Sequence, residues 1–363
     1  MSAKRIVRIK SRLKLSYQRV IRNTSITSQI FEWIINYYGR KIENKGFLLK
    51  LSLIGHSQFE SHKSSPSEEV LGTYGFVFQG GFETSGQVNY FLETIEMLRS
   101  RSPKSPVVLS TFPIPLEFKN QILSSSIRFT FDVIENEDPG TLKRPYAKNL
   151  LRQISSTHNG LEHLYQLGVN KVAKVRIDQR IGNLNSIKFI DYLLHEYSTG
   201  CNQAQMRIVG SSLNTFASLP VFMSDCLLFG HIKDMRDYWA FQSQETFSES
   251  VDQVLGCFGP DVFQLGIHPE IWLAAKYVRS KGLGPKDIWA CNEIFWRDLA
   301  LVVDSSFLDH QWQKQSKYFA SNYKSIKWLE GTLQSKFREM SFSDWLSKYG
   351  ARHSPYSSII EPK

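Results

Sequence analysis

Short, strongly apolar runs alternate along this chain with longer stretches in which apolar residues recur every three or four positions. That is the pattern of strands and amphipathic helices taking turns. Tyr74 to Gln79, Pro106 to Thr111, Phe129 to Ile134 and Val172 to Ile177 predict four strands. Val88, Phe91, Leu92 and Ile95 place a helix over Thr84 to Arg99, with Thr84 or Ser85 as its N-cap. A helix over Ala147 to Leu167 carries Asn149, Arg152 and Gln153 at i, i+3 and i+4, on one polar face. Further on, helices are predicted over Ser186 to Tyr197, Lys233 to Phe241, Pro269 to Val278 and Pro285 to Leu299. Strands are predicted at Met206 to Ser211, Cys226 to Phe229 and Ala300 to Val303. The alternation is that of an α/β protein with a mostly parallel, Rossmann-like sheet flanked by helices.

The flanks read differently. Residues 1–55 hold a basic arm and a helix over Ser28 to Tyr38, and residues 56–70 form a serine-rich linker. The α/β domain then spans 71–308. From 309 to 363 the chain is aromatic and polar, as expected of a helical C-terminal appendage.

Charge sharpens the picture of the arm alone. The 363 residues carry a formal charge of +10, but Lys4, Arg5, Arg8, Lys10, Arg12, Lys14, Arg19 and Arg22 all precede the first acidic residue, Glu32. Without them the chain stands near neutrality, about +2, so the basicity is no property of the folded body. Residues 1–22 suit an anionic membrane surface, where each cation contributes roughly 1 kcal/mol, or form a solvated extension. No apolar run approaches a membrane span, and none follows the basic start as in a signal peptide. The four cysteines are widely spaced without a C-x-x-C pair, which fits a reducing compartment and no zinc framework. The expectation is a cytoplasmic protein, able to lie peripherally on the inner membrane.

Chemistry concentrates around KVAKVRIDQRIGN, Lys171 to Asn183. Lys174, Arg176 and Asp178 alternate on one side of the strand, with Arg180 beyond, and Asp178 falls where ligands sit in α/β sheets, outside the strand's carboxyl end. On spacing alone this is either a ladder of ion pairs or a metal and phosphate site. Gly81 and Gly86 have P-loop spacing, but Gln87 and Val88 stand where that motif needs Lys and Ser or Thr. What remains is a glycine-rich turn before a helix, suited to a phosphate or ribose, or simply a tight turn.

The ordered blocks FVFQGG, VVLSTF, EDPG, NLLRQISSTHNGL, KVRID and MSDCLLFG resemble the WavE family of lipopolysaccharide-synthesis proteins across roughly Tyr74 to Glu270. The resemblance implies a GT-A-like fold and sugar transfer from a nucleotide-sugar donor to a lipopolysaccharide, O-antigen or capsular polysaccharide acceptor, free or lipid-linked. It implies donor binding by Gln79, Gly80, Gly81, Asp138, Asn149, Arg152, Gln153, Lys174, Arg176 and Arg180. Asp178 becomes the expected ligand of a divalent cation, Mn²⁺ or Mg²⁺. The usual acidic neighbours are replaced by Arg176 and Arg180, so a metal-free clamp of cations stays open. An inverting transfer needs a carboxylate base, for which Asp225 is the first candidate and Glu270 the second. Asp225 can equally anchor the strand that follows it, and Arg152 can equally be a surface ion pair. His268 and His310 are further metal candidates, more often simply packed histidines. The competing class is a non-catalytic protein that binds membrane or nucleic acid through the arm. With a neutral body, no nucleic-acid partner is expected.

Overall fold

The computed structural model describes residues 73–141, 149–240, 269–285, 287–313 and 339–350, all within one compact unit, Ser57–Lys363. The arm, its helix and the linker expected upstream lie outside the described residues, as does His268.

The expected alternation is there. Strand β1 (Tyr74–Gln79) leads to α1 (Ser85–Arg101), β2 (Val107–Thr111), α2 (Leu116–Phe129), β3 (Asp132–Glu135), α3 (Leu150–Gln166) and β4 (Lys171–Arg176). Then come β5 (Gln179–Ile181), α4 (Ser186–Glu196), β6 (Ile208–Ser211), β7 (Leu227–His231), α5 (Ile232–Tyr238), α6 (Pro269–Ser280) and α7 (Ile288–Ile294). A π-helical turn (Phe295–Leu299), β8 (Ala300–Val303), β9 (His310–Trp312) and α8 (Phe342–Tyr349) complete it.

Seven strands form one sheet in the order β3-β2-β1-β4-β7-β6-β8. All the pairings are parallel except the two made by β7, which runs against β4 and β6. Succession runs outward from β1 through β2 to β3, then returns to β4 on the other side of β1. The switch point between β1 and β4 opens at their carboxyl ends, where Gln79 and Arg176 stand side by side in register. Because β7 is antiparallel, its amino end, and Asp225 just before it, reaches the same rim.

Helices cover the sheet, so β1, β2 and β7 are continuous apolar runs with almost no exposed residue. Helix α3 lies close enough that a Cβ added at Gly160 would sit 2.6 Å from Val77 Cγ1 and 3.1 Å from Ser110 Cβ. Only glycine allows that approach. Helix α1 starts with the expected Thr84 cap, closed by a capping box with Gln87.

Two differences from the sequence expectation have physical reasons. Helix α2 is not among the predicted elements. Pro115 occupies its N-cap, and the helix buries only Phe118 and Ile122, so its stripe is faint and the serines at 124–126 dilute it further. The helix expected up to Leu299 ends at Ile294 and finishes as the π-helical turn. Among the described residues of the expected appendage, β9 pairs with β5, and Trp345 of α8 is fully buried, its Nε1 donating to the carbonyls of Trp296 (2.9 Å) and Ala300 (3.1 Å).

Candidate functional site

The rim above β1 and β4 gathers Gln79, Gly80, Lys174, Arg176, Asp178, Asp225 and Glu270. Gln79 is buried, and Gly80 follows it at φ 139, a conformation that favours glycine, before the chain opens at exposed Gly81. A Cβ at Gly81 would meet nothing within 4 Å.

Lys174, expected among the donor-binding residues, is fully buried. Both faces of a central strand are covered, so the polar side of its period-two pattern is sealed as well as the apolar side. Its ammonium donates to the main-chain carbonyl of Asp225, lies 4.0 Å from Asp225 Oδ2 and packs 4.9 Å from the centroid of the Trp239 ring. Burial lowers its pKa, and Asp225 partly restores it.

Asp225 is 4% exposed, and its Oδ2 accepts no hydrogen bond from the described residues. Glu270, in the first turn of α6, is half-buried as a residue, but its carboxyl lies deep. Burial first, and then the charge of Asp225, push it up to about 8, against the smaller opposing pull of its backbone and of Arg176 and Lys174. At neutral pH Glu270 therefore keeps its proton.

That retained proton has a stability signature. An ordinary glutamate loses its proton near pH 4.3. From there to about 8 the unfolded chain releases a proton that the folded chain retains, so stability falls as pH rises, by up to about 1.4 kcal/mol per pH unit. Glu270→Gln removes this loss. In urea unfolding, the variant should gain on the native protein progressively from pH 5 to 8 and no further above that. A difference independent of pH would show that the carboxyl is not held protonated.

Asp178 is 2% exposed, and both oxygens are engaged. Arg176 donates Nε to Oδ1 and Nη2 to Oδ2, each at 3.1 Å, and Trp312 donates Nε1 to Oδ2 at 3.0 Å. Among the described residues no group of three or more His, Cys, Asp or Glu comes together. The donors around Asp178 thus do not fit the divalent cation expected there, because its lone pairs already face a guanidinium and an indole N–H. His310 is no substitute: its Nδ1 meets Ser211 Oγ at 2.9 Å and its Nε2 meets Gln179 Oε1 at 3.3 Å.

Arg180, also expected to bind the donor, contacts helix α1. It stacks 3.9 Å from the centroid of the Tyr90 ring and pairs with Glu93 at 3.1 Å, so it fastens β5 to α1. Arg176 differs. Burial pulls its guanidinium down, yet the surrounding acids Asp178 and Asp225 hold it above its ordinary pKa, and it stays partly exposed.

The remaining expected donor residues form a second group at the other end of the row, beside edge strand β3. Arg152 Nε donates to Asp138 Oδ1 at 2.8 Å in a surface pair that lowers the Asp138 pKa. Asn149 is exposed just before α3, and Gln153 has a buried Oε1 with no hydrogen bond from the described residues. Next to them lies a cleft of about 840 Å³ whose lining includes Asn136, Asp138, Ser155, Asn159 and His163.

Trp312 was missed by the sequence reading, which left it in the appendage. It reaches Asp178 because β9 pairs antiparallel with β5, setting Trp312 opposite Gln179. A three-residue strand gives no periodic signal.

No protein-family model and no curated protein matches the chain. Among solved structures, it is similar to the apo form of the glycosyltransferase GlyE of Streptococcus pneumoniae TIGR4, at 9% identity and a TM-score of 0.35, over 73% of this chain and 52% of that one. A second GlyE structure matches at 14% identity and 0.35, over 76% and 60%. An active-site mutant of LgtC matches at 9% and 0.31, over 64% and 73%. The chain thus spans little more than half the length of GlyE. Scores this low carry no inference about chemistry, and the WavE resemblance rests on its motifs alone.

Proposed function

We propose that the chain is a glycosyltransferase that takes a sugar from a nucleotide-sugar donor. The observation that carries this reading is Asp225: a buried carboxylate with an oxygen free of hydrogen bonds from the described residues, beside a protonated Glu270, at the switch point of an α/β sheet. An acceptor hydroxyl set against Oδ2 would give up its proton there as its oxygen bonds to the anomeric carbon of the sugar. The bond from that carbon to the donor phosphate breaks, and the nucleotide diphosphate leaves with the electron pair.

The donor lies along the row of strand ends. From β3 to β4 is three strand intervals, about 14 Å, a span suited to a nucleoside near Asp138, Asn149 and Gln153 with its diphosphate near Gly80, Gly81 and Arg176. The acceptor we propose, from the motif resemblance, is a lipopolysaccharide, O-antigen or capsular glycan. The basic residues 1–22 would hold the enzyme near a lipid-linked form of it at the inner membrane. No helix among the described residues is long and apolar enough to cross a membrane.

Thermal-shift measurements with UDP-, GDP- and CMP-sugars, each with and without Mn²⁺, test the reading. At least one donor should raise the melting temperature, and the same donor should release free nucleotide slowly in the enzyme's presence. If none shifts it, the reading fails.

A further inference from the structure

With the Asp178 oxygens engaged by Arg176 and Trp312, a question of charge follows. A departing nucleotide diphosphate needs fixed positive charge beside it, and two of the three cations at this strand end are committed elsewhere. Lys174 is sealed against Asp225 and Trp239, and Arg180 against Tyr90 and Glu93. Arg176 remains.

Resting on the reading above, we propose that Arg176 binds the donor diphosphate in place of a metal, with Asp178 and Trp312 as its positioning residues. The geometry has three parts. Asp178 grips the Nε and Nη2 edge of the guanidinium at 3.1 Å on each oxygen, leaving Nη1 with no hydrogen bond to the described residues. Trp312 fixes the gripping carboxylate through Nε1 at 3.0 Å, and its ring lies 5.8 Å from Arg176 Cζ. The strand carrying Trp312 is itself tied down, since Gln313 N donates to the Asp178 carbonyl at 2.8 Å and Gln313 Nε2 to the Gly86 carbonyl at 3.0 Å.

A guanidinium held along one edge keeps its other edge in a fixed direction, so little side-chain freedom is lost when an anion arrives. In register with Arg176 stands Gln79, and after Gly80, which packs against Ile177, Gly81 leaves open space where a phosphate can approach the backbone. An aspartate that resembles a metal ligand in the sequence thus serves the same leaving group by holding an arginine.

Calorimetry on the full chain separates the possibilities, using UDP, GDP and CDP and the matching monophosphates, in EDTA and in Mn²⁺. A diphosphate should bind in EDTA more tightly than its monophosphate. Arg176→Lys should shrink that advantage by about tenfold or more, since an ammonium cannot be gripped along an edge. Trp312→Phe keeps the ring but loses the N–H, and should lower the same advantage by a smaller factor. General damage to the fold would instead weaken both ligands alike. The proposal is overturned if diphosphates bind only with Mn²⁺ and Asp178→Asn abolishes that dependence, or if Trp312→Phe leaves the diphosphate advantage untouched. If no nucleotide binds the native chain under any condition, the glycosyltransferase reading itself falls.

Discussion

Asp225→Asn should reduce sugar transfer by about 10²- to 10⁴-fold, the range a positioned general base supplies, while nucleotide affinity changes little. The substitution keeps shape and removes charge. Lys174 retains its bond to the main-chain carbonyl of residue 225, so the strand stays anchored. What disappears is the acceptor for the hydroxyl proton. Asp225 is one cause of the raised Glu270 pKa, after burial, so in the variant Glu270 is ionised more often at neutral pH and can take over part of the proton removal. Residual activity should therefore be lost in the Asp225→Asn, Glu270→Gln double variant. The measurements are kcat for transfer and the calorimetric Kd for the nucleotide. A single variant with native kcat would make Asp225 only an anchor for β7.

Much of the sheet could be read directly from the chain. The bounds of β1 and β8 coincide with the apolar runs that announced them, because strands covered on both faces are written as unbroken hydrophobic sequence. The candidate carboxylates were legible as residue types at strand and helix starts. Their relation was not: Asp225 and Glu270 meet only because β7 runs antiparallel and brings its amino end to the rim, and nothing local in the sequence declares a strand's direction.

Asp178 shows the same limit from the other side. Its place after β4 was readable, but whether its oxygens face a cleft or a neighbour depends on a short strand far along the chain. Trp312 decides the matter, and His310-Gln311-Trp312 carries no pattern that distinguishes it from the loop around it. Arg180 likewise looked like a rim cation until Tyr90 and Glu93 of α1 were placed beneath it.

Lys281→Met should destabilise the fold by about 3–5 kcal/mol, the cost of stranding a buried charge. Lys281 Nζ meets Asp234 Oδ1 at 2.8 Å, Asp237 Oδ2 at 2.7 Å and the carbonyl of Gln203 at 3.1 Å, and Asp234 is fully buried. Asp234 also accepts the backbone N–H groups of Gln205 and Met206, each at 2.9 Å, so it cannot simply turn to solvent once the ammonium is gone. Burial alone would lower the Lys281 pKa, but its bonds to Asp234 and Asp237 raise it. Its contribution is therefore complete below the ordinary lysine pKa and fades only as pH climbs through the raised value. Urea unfolding at pH 7 reads the loss, and the Lys281→Met, Asp234→Asn pair should recover most of it, because the stranded charge is then absent. A double variant no more stable than the single one would mean that the lysine's packing and not its charge is what matters. The cluster also bears on the site. Asp234 sits on α5, which follows β7 and Asp225, while Lys281 closes α6, which begins with Glu270. Loosening that bond should let the two carboxylates drift apart, so the single variant should lose transfer activity even at temperatures where it remains folded.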